Sequence, residues 1–280
     1  RSSDLFLTEY GKFLATVQGP VKGNILLRRS QYRISENPIS SLEISRNFIF
    51  GKIANTRTVL QRATRDHSVV SESSTVNESI SYLGKQLVRV RECSNLDSLR
   101  GIEGDAAKTY FRALDSLILN QKEHFFLQSR NRRPPLDNMN ALLSFLYTLL
   151  THEVRSSLES VGLDPASGFL HQPRPGRPSL ALDLMEELRP YLADRLALSL
   201  INRKQISEKG FKRKESGGVI MDDETRKEVI TAWQKRKQDE IMHPYLNEKI
   251  SIGLLPHVQS LLLARFIRGD IDGYPPFIWR

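Results

Sequence analysis

One carboxylate, one imidazole and a second group of carboxylates carry most of the chemistry this chain can offer. Glu103 lies in Gly101-Ile102-Glu103-Gly104, His171 in Phe169-Leu170-His171, and Asp183, Glu186 and Glu187 in Leu182-Asp183-Leu184-Met185-Glu186-Glu187. Carboxylate oxygens suit hard divalent cations. One added imidazole makes the set compatible with Mn2+ as well as Mg2+. With a helix running through 183–187, Asp183 shares a face with either glutamate one turn on. The same spacing also has a plainer use, because acids in a first helical turn complement the helix dipole. His171 stands among prolines in a loop, where an imidazole serves either as a ligand or as a partner for a backbone carbonyl. Spacing alone leaves both readings open.

The charge balance narrows the partner. The chain has 41 Lys+Arg against 32 Asp+Glu, a net charge of +9. Such a surplus favours a polyanion and makes binding salt-sensitive. Arg28 and Arg29, and Arg130, Arg132 and Arg133 in the linker Arg130-Asn131-Arg132-Arg133-Pro134-Pro135, have little acid around them and are candidates for phosphate contacts. Lys235-Arg236-Lys237 has Glu228, Asp239 and Glu240 nearby and reads as a solvated helix face. The single cysteine, Cys93, excludes an internal disulfide and a cysteine metal site. That usage fits a reducing, cytoplasmic setting. No run of 18 apolar residues is present to span a membrane. No P-loop, no G-x-G-x-x-G after a strand and no G-x-S-x-G appears, so nucleotide-driven and acyl-transfer chemistry lack support.

These side chains need elements to position them. Leu5–Thr8 and Phe13–Val17, around a Tyr10-Gly11 turn, read as a hairpin; Gly19-Pro20 breaks it and Asn24–Leu27 reads as a further strand. From about Ser40 the apolar spacing turns helical. Helices are expected over about 76–93, 96–119, 138–161, 179–200 (kinked at Pro190), 223–242 and 247–269. A small hairpin is expected over 211–222, with Ser216-Gly217-Gly218 at its tip. Ala141–Leu150 is apolar on nearly every face and should be the most buried stretch. The expected class is α+β: a small N-terminal β domain, incomplete as residues 1–30, then a helical catalytic domain over 31–280. The absence of an initiator methionine and a start inside a strand suggest residues upstream.

Four blocks then resemble a known family. Gly-Ile-Glu-Gly-Asp-Ala-Ala-Lys-Thr-Tyr-Phe (101–111) resembles the glutamate motif of the Cas-one family, the integrases that insert new spacers into CRISPR arrays. Arg-Arg-Pro-Pro-Leu-Asp-Asn-Met-Asn-Ala-Leu-Leu-Ser-Phe (132–145) resembles its central helix entry. Gly-Leu-Asp-Pro-Ala-Ser-Gly-Phe-Leu-His (162–171) resembles its histidine motif, and Leu-Ala-Leu-Asp-Leu-Met-Glu-Glu-Leu-Arg-Pro (180–190) its aspartate motif. Ala232-Trp233-Gln234 to His243-Pro244 and the Tyr-Pro-Pro-Phe tail are most similar to the branch found with type I-C systems. The resemblance implies Glu103, His171 and Asp183 as ligands of Mg2+ or Mn2+, with Glu186 and Glu187 as groups behind them. It implies transesterification by a DNA 3′-hydroxyl, so that no protein nucleophile is needed. It implies DNA partners (spacer precursor and CRISPR repeat), a homodimer, a second Cas protein and a Cas-four-type nuclease. Two other readings use the same residues: a general metal-dependent DNA nuclease, and a non-catalytic helical protein that binds nucleic acid.

Overall fold

The computed structural model describes residues 3–7, 13–18 and 25–279, and most of the described chain is helical. Strands β1 (Ser3–Leu7) and β2 (Phe13–Gln18) form an antiparallel pair with a register shift between Phe6 and Leu7. Thr8, the Tyr10-Gly11 turn, the Gly19-Pro20 break and Asn24 lie outside the described residues. The strand expected over Asn24–Leu27 is instead the start of helix α1 (Ile25–Glu36). Ile25, Leu26 and Leu27 are as acceptable in a helix as in a strand. Leu27 and Gln31, one turn apart, are the residues this helix buries, and the Gln31 carboxamide grips the backbone of Asp164 and Ser167.

Helix α2 (Pro38–Asp66) is the spine of the molecule. The Asn37 side chain accepts hydrogen bonds from the Ile39 and Ser40 amides, and Pro38 occupies the first turn, where it forfeits no intrahelical bond. Ile44 and Phe48, and Ile49 and Ile53, then fall one turn apart and are buried, as are Val59 and Leu60. A short α3 (Ser68–Ser71) follows, then α4 (Ser74–Glu92), α5 (Leu96–Asp115) and α6 (Asn138–Ser160). Next come α7 (Ser179–Arg189) and α8 (Arg195–Asn202). Helix α2 packs against α4, α5 and α7, while α6 covers the other side of α7 and also meets α10 (Leu255–Arg268). The helix carrying the candidate acids is therefore central, not peripheral. Leu142, Leu143, Leu146 and Leu150 of α6 are buried, but Ser144 and Tyr147–Leu149 are half-buried, and the most buried stretch is 179–194 rather than the expected 141–150, because that segment is enclosed by α2 on one side and α6 on the other.

Pro190 interrupts the 179–200 helix in a specific way. It has no N–H to return to a carbonyl and its ring crowds the preceding turn. The chain widens into one π turn, Pro190–Asp194, before resuming as α8. That turn points the fully buried Asp194 carboxylate at the hydroxyls of Tyr110 (3.0 Å) and Tyr147 (2.6 Å), which donate to it. Burial raises the Asp194 pKa to about 6, against the pull of those two hydrogen bonds. The folded state then holds this proton more tightly than the unfolded chain does. Its stabilising effect is complete below the unfolded pKa and is lost as pH rises through about 6. The shift corresponds to roughly 3 kcal/mol. Urea denaturation from pH 4 to 7 should show that loss in the parent and not in Asp194→Asn; parallel profiles would refute it.

The C-terminal third departs from expectation at two places. The 211–222 hairpin forms as β3 (Phe211–Arg213) and β4 (Val219–Met221), and α9 starts on the Asp222 cap, but α9 runs only over Asp223–Gln238. Glu240–Met242 is a strand, β5, paired with β6 (Lys249–Ser251), so the expected helices over 223–242 and 247–269 both lose a portion to a hairpin. Pro244 drives the residue before it away from helix, and Asn247 takes a left-handed φ of 55° in the connection. Helix α5 also ends at Asp115 rather than 119, because the Asn202 side chain draws the Leu119 and Asn120 amides out of line.

Candidate metal centre

The site is built where α2, α5 and α7 meet the loop ahead of α7. Glu103 comes from α5, whose buried stripe is Leu99, Ile102, Ala106 and Tyr110. Glu103 sits beside that stripe, so its carboxylate emerges at the edge of the packed face with 27% exposure. Lys52, on α2 among Phe48, Ile49 and Ile53, is turned into the same space and is 9% exposed. Its ammonium donates to Glu103 and lies 2.7 Å from Oε2 of Glu186. The second contact is an ion pair without hydrogen-bond alignment, and Oε2 has no hydrogen-bond donor. Arg189 holds the other Glu186 oxygen at 3.1 Å. Burial alone would raise the Glu186 pKa, yet Arg189 and Lys52 together hold it down at about 2. The same two carboxylates keep the Lys52 pKa above its usual value despite burial.

His171 and Asp183 form the other half. Asp183 is fully buried and accepts from the amides of Phe169 (2.6 Å) and Leu170 (3.0 Å) through Oδ2. Its Oδ1 accepts from the His171 amide (3.0 Å) and contacts His171 Nδ1 (2.6 Å). A carboxylate offers about four acceptor sites, so a metal ion bound to Asp183 would take the place of one of these contacts. With the proton on Nδ1, the His171 Nε2 lone pair is presented for a ligand, the arrangement that fixes metal-binding histidines. The loop can approach this closely because residue 168 is glycine: a Cβ there would lie 2.7 Å from Asp183 Oδ2. Arg100, one turn before Glu103 on α5, ties the loop down by donating to the Leu170 carbonyl at 2.7 and 3.1 Å.

Glu187 turns the other way, behind α7. It is fully buried, and its Oε1 accepts from the Gln259 carboxamide and the Tyr274 hydroxyl, both at 2.6 Å. His243 Nε2 meets Gln259 Oε1 at 3.0 Å and its Nδ1 accepts from the Leu246 amide, which fixes the tautomer. With no cation beside it, burial pushes Glu187 up to about 8. Asn55 on α2 ties the same tail down through Phe277 and Trp279. Glu187 is thus an anchor between the site helix and the C-terminal tail.

The structure therefore joins His171 to Asp183, and Glu103 to Glu186 through Lys52. The charge of His171 acts on Glu186, and that of Glu103 on Arg189, so the two halves share one electrostatic neighbourhood. Among the described residues no three His, Cys, Asp or Glu side chains are already arranged to hold a metal ion. Arg29, Arg132 and Arg133 are exposed. Arg28 instead donates to the Gly162 carbonyl, and Arg130 to Asn140 and Ser144 while lying over the Tyr147 ring.

The family model for CRISPR associated protein Cas1 matches residues 3–235. The chain belongs to the Cas1 family. CRISPR-associated endonuclease Cas1 1 of Chlorobaculum tepidum is 55% identical over 275 residues, 98% of this chain and 80% of the relative. In Geobacter sulfurreducens a Cas4 exonuclease/Cas1 endonuclease fusion is 38% identical over 278 residues, covering 98% of this chain and 49% of the fusion. A solved Cas1 protein from Thermotoga maritima superposes with a TM-score of 0.77 at 27% identity, over 95% of this chain and 78% of that one. A chain of a Cas6-RT-Cas1–Cas2 complex shares the fold, with a TM-score of 0.78 at 23% identity, over 97% and 29%. The protein is a Cas1 endonuclease of CRISPR adaptation, with the mostly helical fold expected of it. Among the described residues no helix is long and apolar enough to cross a membrane.

Residues of this Cas1 chain that the motifs did not single out complete the site. Lys52 had one legible signal, a lysine on the apolar stripe of a long helix. Arg189 was one turn beyond Glu186 on the same helix, a spacing that brings the two together, and the pair is an i,i+3 contact within α7. The amides of 169–171 carry no side-chain signature at all.

Proposed function

We propose that Glu103, His171 and Asp183 form a divalent-metal centre, with Glu186 beside it, at which the 3′-hydroxyl ends of new spacer DNA are joined to the CRISPR repeat. The observation that carries this reading is the Lys52 ammonium: a cation already bridges Glu103 and Glu186, so the pocket is shaped and charged for positive charge. Hard carboxylate oxygens with one imidazole nitrogen fit Mg2+ or Mn2+. When bound, such an ion orients the target phosphodiester and offsets charge developing on its oxygens. Asp183 keeps the His171 ring turned so that Nε2 faces the ligand. Arg189 keeps Glu186 ionised. Attack by the incoming 3′-oxygen forms one P–O bond as the target strand's own P–O3′ bond breaks, releasing a 3′-hydroxyl on the target. Strand joining by the purified protein with Mn2+ should require a 3′-hydroxyl donor, fail with a dideoxy-ended one, and be lost in Glu103→Gln. Cutting without joining would leave only a general nuclease.

Arg29, Arg132 and Arg133 are placed to contact phosphates, while Arg28 and Arg130 support the loops they bond. Neutralising Arg132 and Arg133 together should reduce the slope of log affinity against log salt by about 2. Fluorescence anisotropy across a sodium chloride series would read this, and an unchanged slope would exclude both residues. The family also supports a homodimer, a Cas2-type partner and a Cas4-type nuclease in the adaptation assembly, and the 232–244 segment and tail support a type I-C setting. Light scattering of the protein alone and with the Cas2-type partner tests the assembly.

A further inference from the structure

The C-terminal tail is built into the seam between α2 and α7. Tyr274, Phe277 and Trp279 are buried. The Tyr274 ring packs edge-on against Phe48 of α2, with centroids 5.2 Å apart. Phe277 and Trp279 pack against Tyr191, just past the end of α7, at 5.5 and 5.0 Å. The polar ties of the tail converge on the same two helices. Asn55 of α2 is fully buried and joins three segments at once. Its carboxamide nitrogen donates to the Glu187 carbonyl of α7 (2.7 Å) and to the Phe277 carbonyl (2.9 Å), and its oxygen accepts from the Trp279 amide (2.8 Å). The Tyr274 hydroxyl donates to the Glu187 carboxylate and accepts from the Gln259 carboxamide of α10 at 2.7 Å.

Gly51, one turn before Asn55, lets these segments close up. A Cβ there would lie 2.9 Å from the Glu187 Cβ and 3.2 Å from the Pro276 Cβ. The residues that face the metal centre come from adjacent positions on the same two helices: Lys52 follows Gly51, and Glu186 precedes Glu187. Neighbouring positions on a helix point about 100° apart. The tail and the metal centre therefore lie on adjoining sides of one α2–α7 seam. Helix α5, which carries Glu103, packs on α2 as well. The distance between α2 and α7 thus sets the 2.7 Å approach of Lys52 to Glu186 and the width of the space between Glu103 and Glu186. Close-packed interiors transmit such a displacement and do not absorb it.

We propose that the C-terminal tail sets the spacing of the metal centre from the far side of this seam, and that Asn55 is the positioning residue through which it holds α2 against α7. Asn55 touches neither a ligand nor DNA. It acts by fixing the backbone of α7 at Glu187, next to Glu186 and one turn past Asp183. The Tyr274 hydroxyl fixes the side chain of the same residue, so the tail grips α7 twice at one point. The effect on a bound ion rests on the metal-centre reading above; the effect on the Lys52–Glu186 pair does not.

The experiment uses the full chain without DNA. Mn2+ affinity is measured by isothermal titration calorimetry for the parent, Asn55→Ala, Tyr274→Phe and Val229→Ala. Tyr274→Phe keeps the ring against Phe48 and deletes one hydroxyl, so it decides the matter if Asn55→Ala does not fold. Val229 is buried in α9 and takes part in none of the contacts above, so its truncation supplies a loss of stability alone. The expected result is about tenfold weaker Mn2+ binding in Asn55→Ala, the low end of what groups behind metal ligands contribute. A smaller loss is expected in Tyr274→Phe, and none in Val229→Ala even where its melting temperature falls as far. In strand joining, kcat should fall in the two tail variants while KM for DNA holds. Parental Mn2+ affinity in both tail variants overturns the proposal, as does an equal loss in Val229→Ala. A metal-free arm separates this idea from the metal reading. In EDTA, the stability costs of Tyr274→Phe and Lys52→Met should sum to more than the cost of the double variant, because a loosened seam leaves less of the ion pair to remove; Val229→Ala and Lys52→Met should add. If the parent binds no Mn2+, the metal-centre reading fails by itself and this cycle decides the proposal, with additive costs overturning it.

Discussion

Lys52→Met should destabilise the metal-free protein by about 3–5 kcal/mol, the usual cost of removing one partner from a buried charge cluster. Methionine is close to lysine in length and packs among the same apolar neighbours of α2, so the change isolates the charge. Without the ammonium, Glu103 and Glu186 face one another with Arg189 as the remaining cation, and the almost completely buried Glu186 loses half its compensation. A divalent ion at the same place should restore what was lost. Mn2+ at a hundredfold excess over its dissociation constant would return about 2.7 kcal/mol through binding to the folded state alone. Chemical denaturation in EDTA and in Mn2+ reads both halves, with no need for catalysis. A variant as stable as the parent in EDTA, or one that Mn2+ does not stabilise, would remove Lys52 as the stand-in for a metal and weaken the metal centre with it.

Asp183→Ala and His171→Ala should separate structure from chemistry. Asp183 takes four contacts from the loop, three from amides and one from the imidazole. Its removal strands buried donors that each cost about 1–3 kcal/mol when left unpaired. The variant should lose several kcal/mol and its activity together. His171 is a quarter exposed and carries little packing. His171→Ala should therefore keep its melting temperature within a few degrees while Mn2+-dependent strand joining falls at least about a hundredfold. If His171→Ala joins strands at the parental rate, the imidazole is only a structural partner of Asp183. If Asp183→Ala proves as stable as the parent, the loop does not depend on that carboxylate and the geometry described above is wrong.

Much of the local architecture was legible from the chain alone. The three- and four-residue apolar steps of α2, α5 and α6 set which faces turn inward, and that is enough to place Glu103 at the edge of a packed stripe. Pro190 announced a break, because a missing N–H and a crowded ring act within one turn of chain. Gly-Ile-Glu-Gly and its companion blocks pointed to the family. The hairpin over 240–251 was not legible, since its apolar residues are short runs that satisfy a helix or a strand equally. Its outcome depended on Pro244 and on the partner strand.

The site's electrostatics were decided by tertiary structure. Lys52 is one lysine in a long helix until α2 packs on α5 and α7, and only then does it stand between two carboxylates separated from it by 51 and 134 residues. Glu186 and Glu187 are neighbours with the same side chain. One turns toward Arg189 and Lys52 and is held ionised at about 2, while the other turns toward Tyr274 and Gln259 and is pushed up to about 8. Periodicity reports which side of a helix is buried. It carries no information on what that side is buried against, and for an ionisable group the burial partners set the charge.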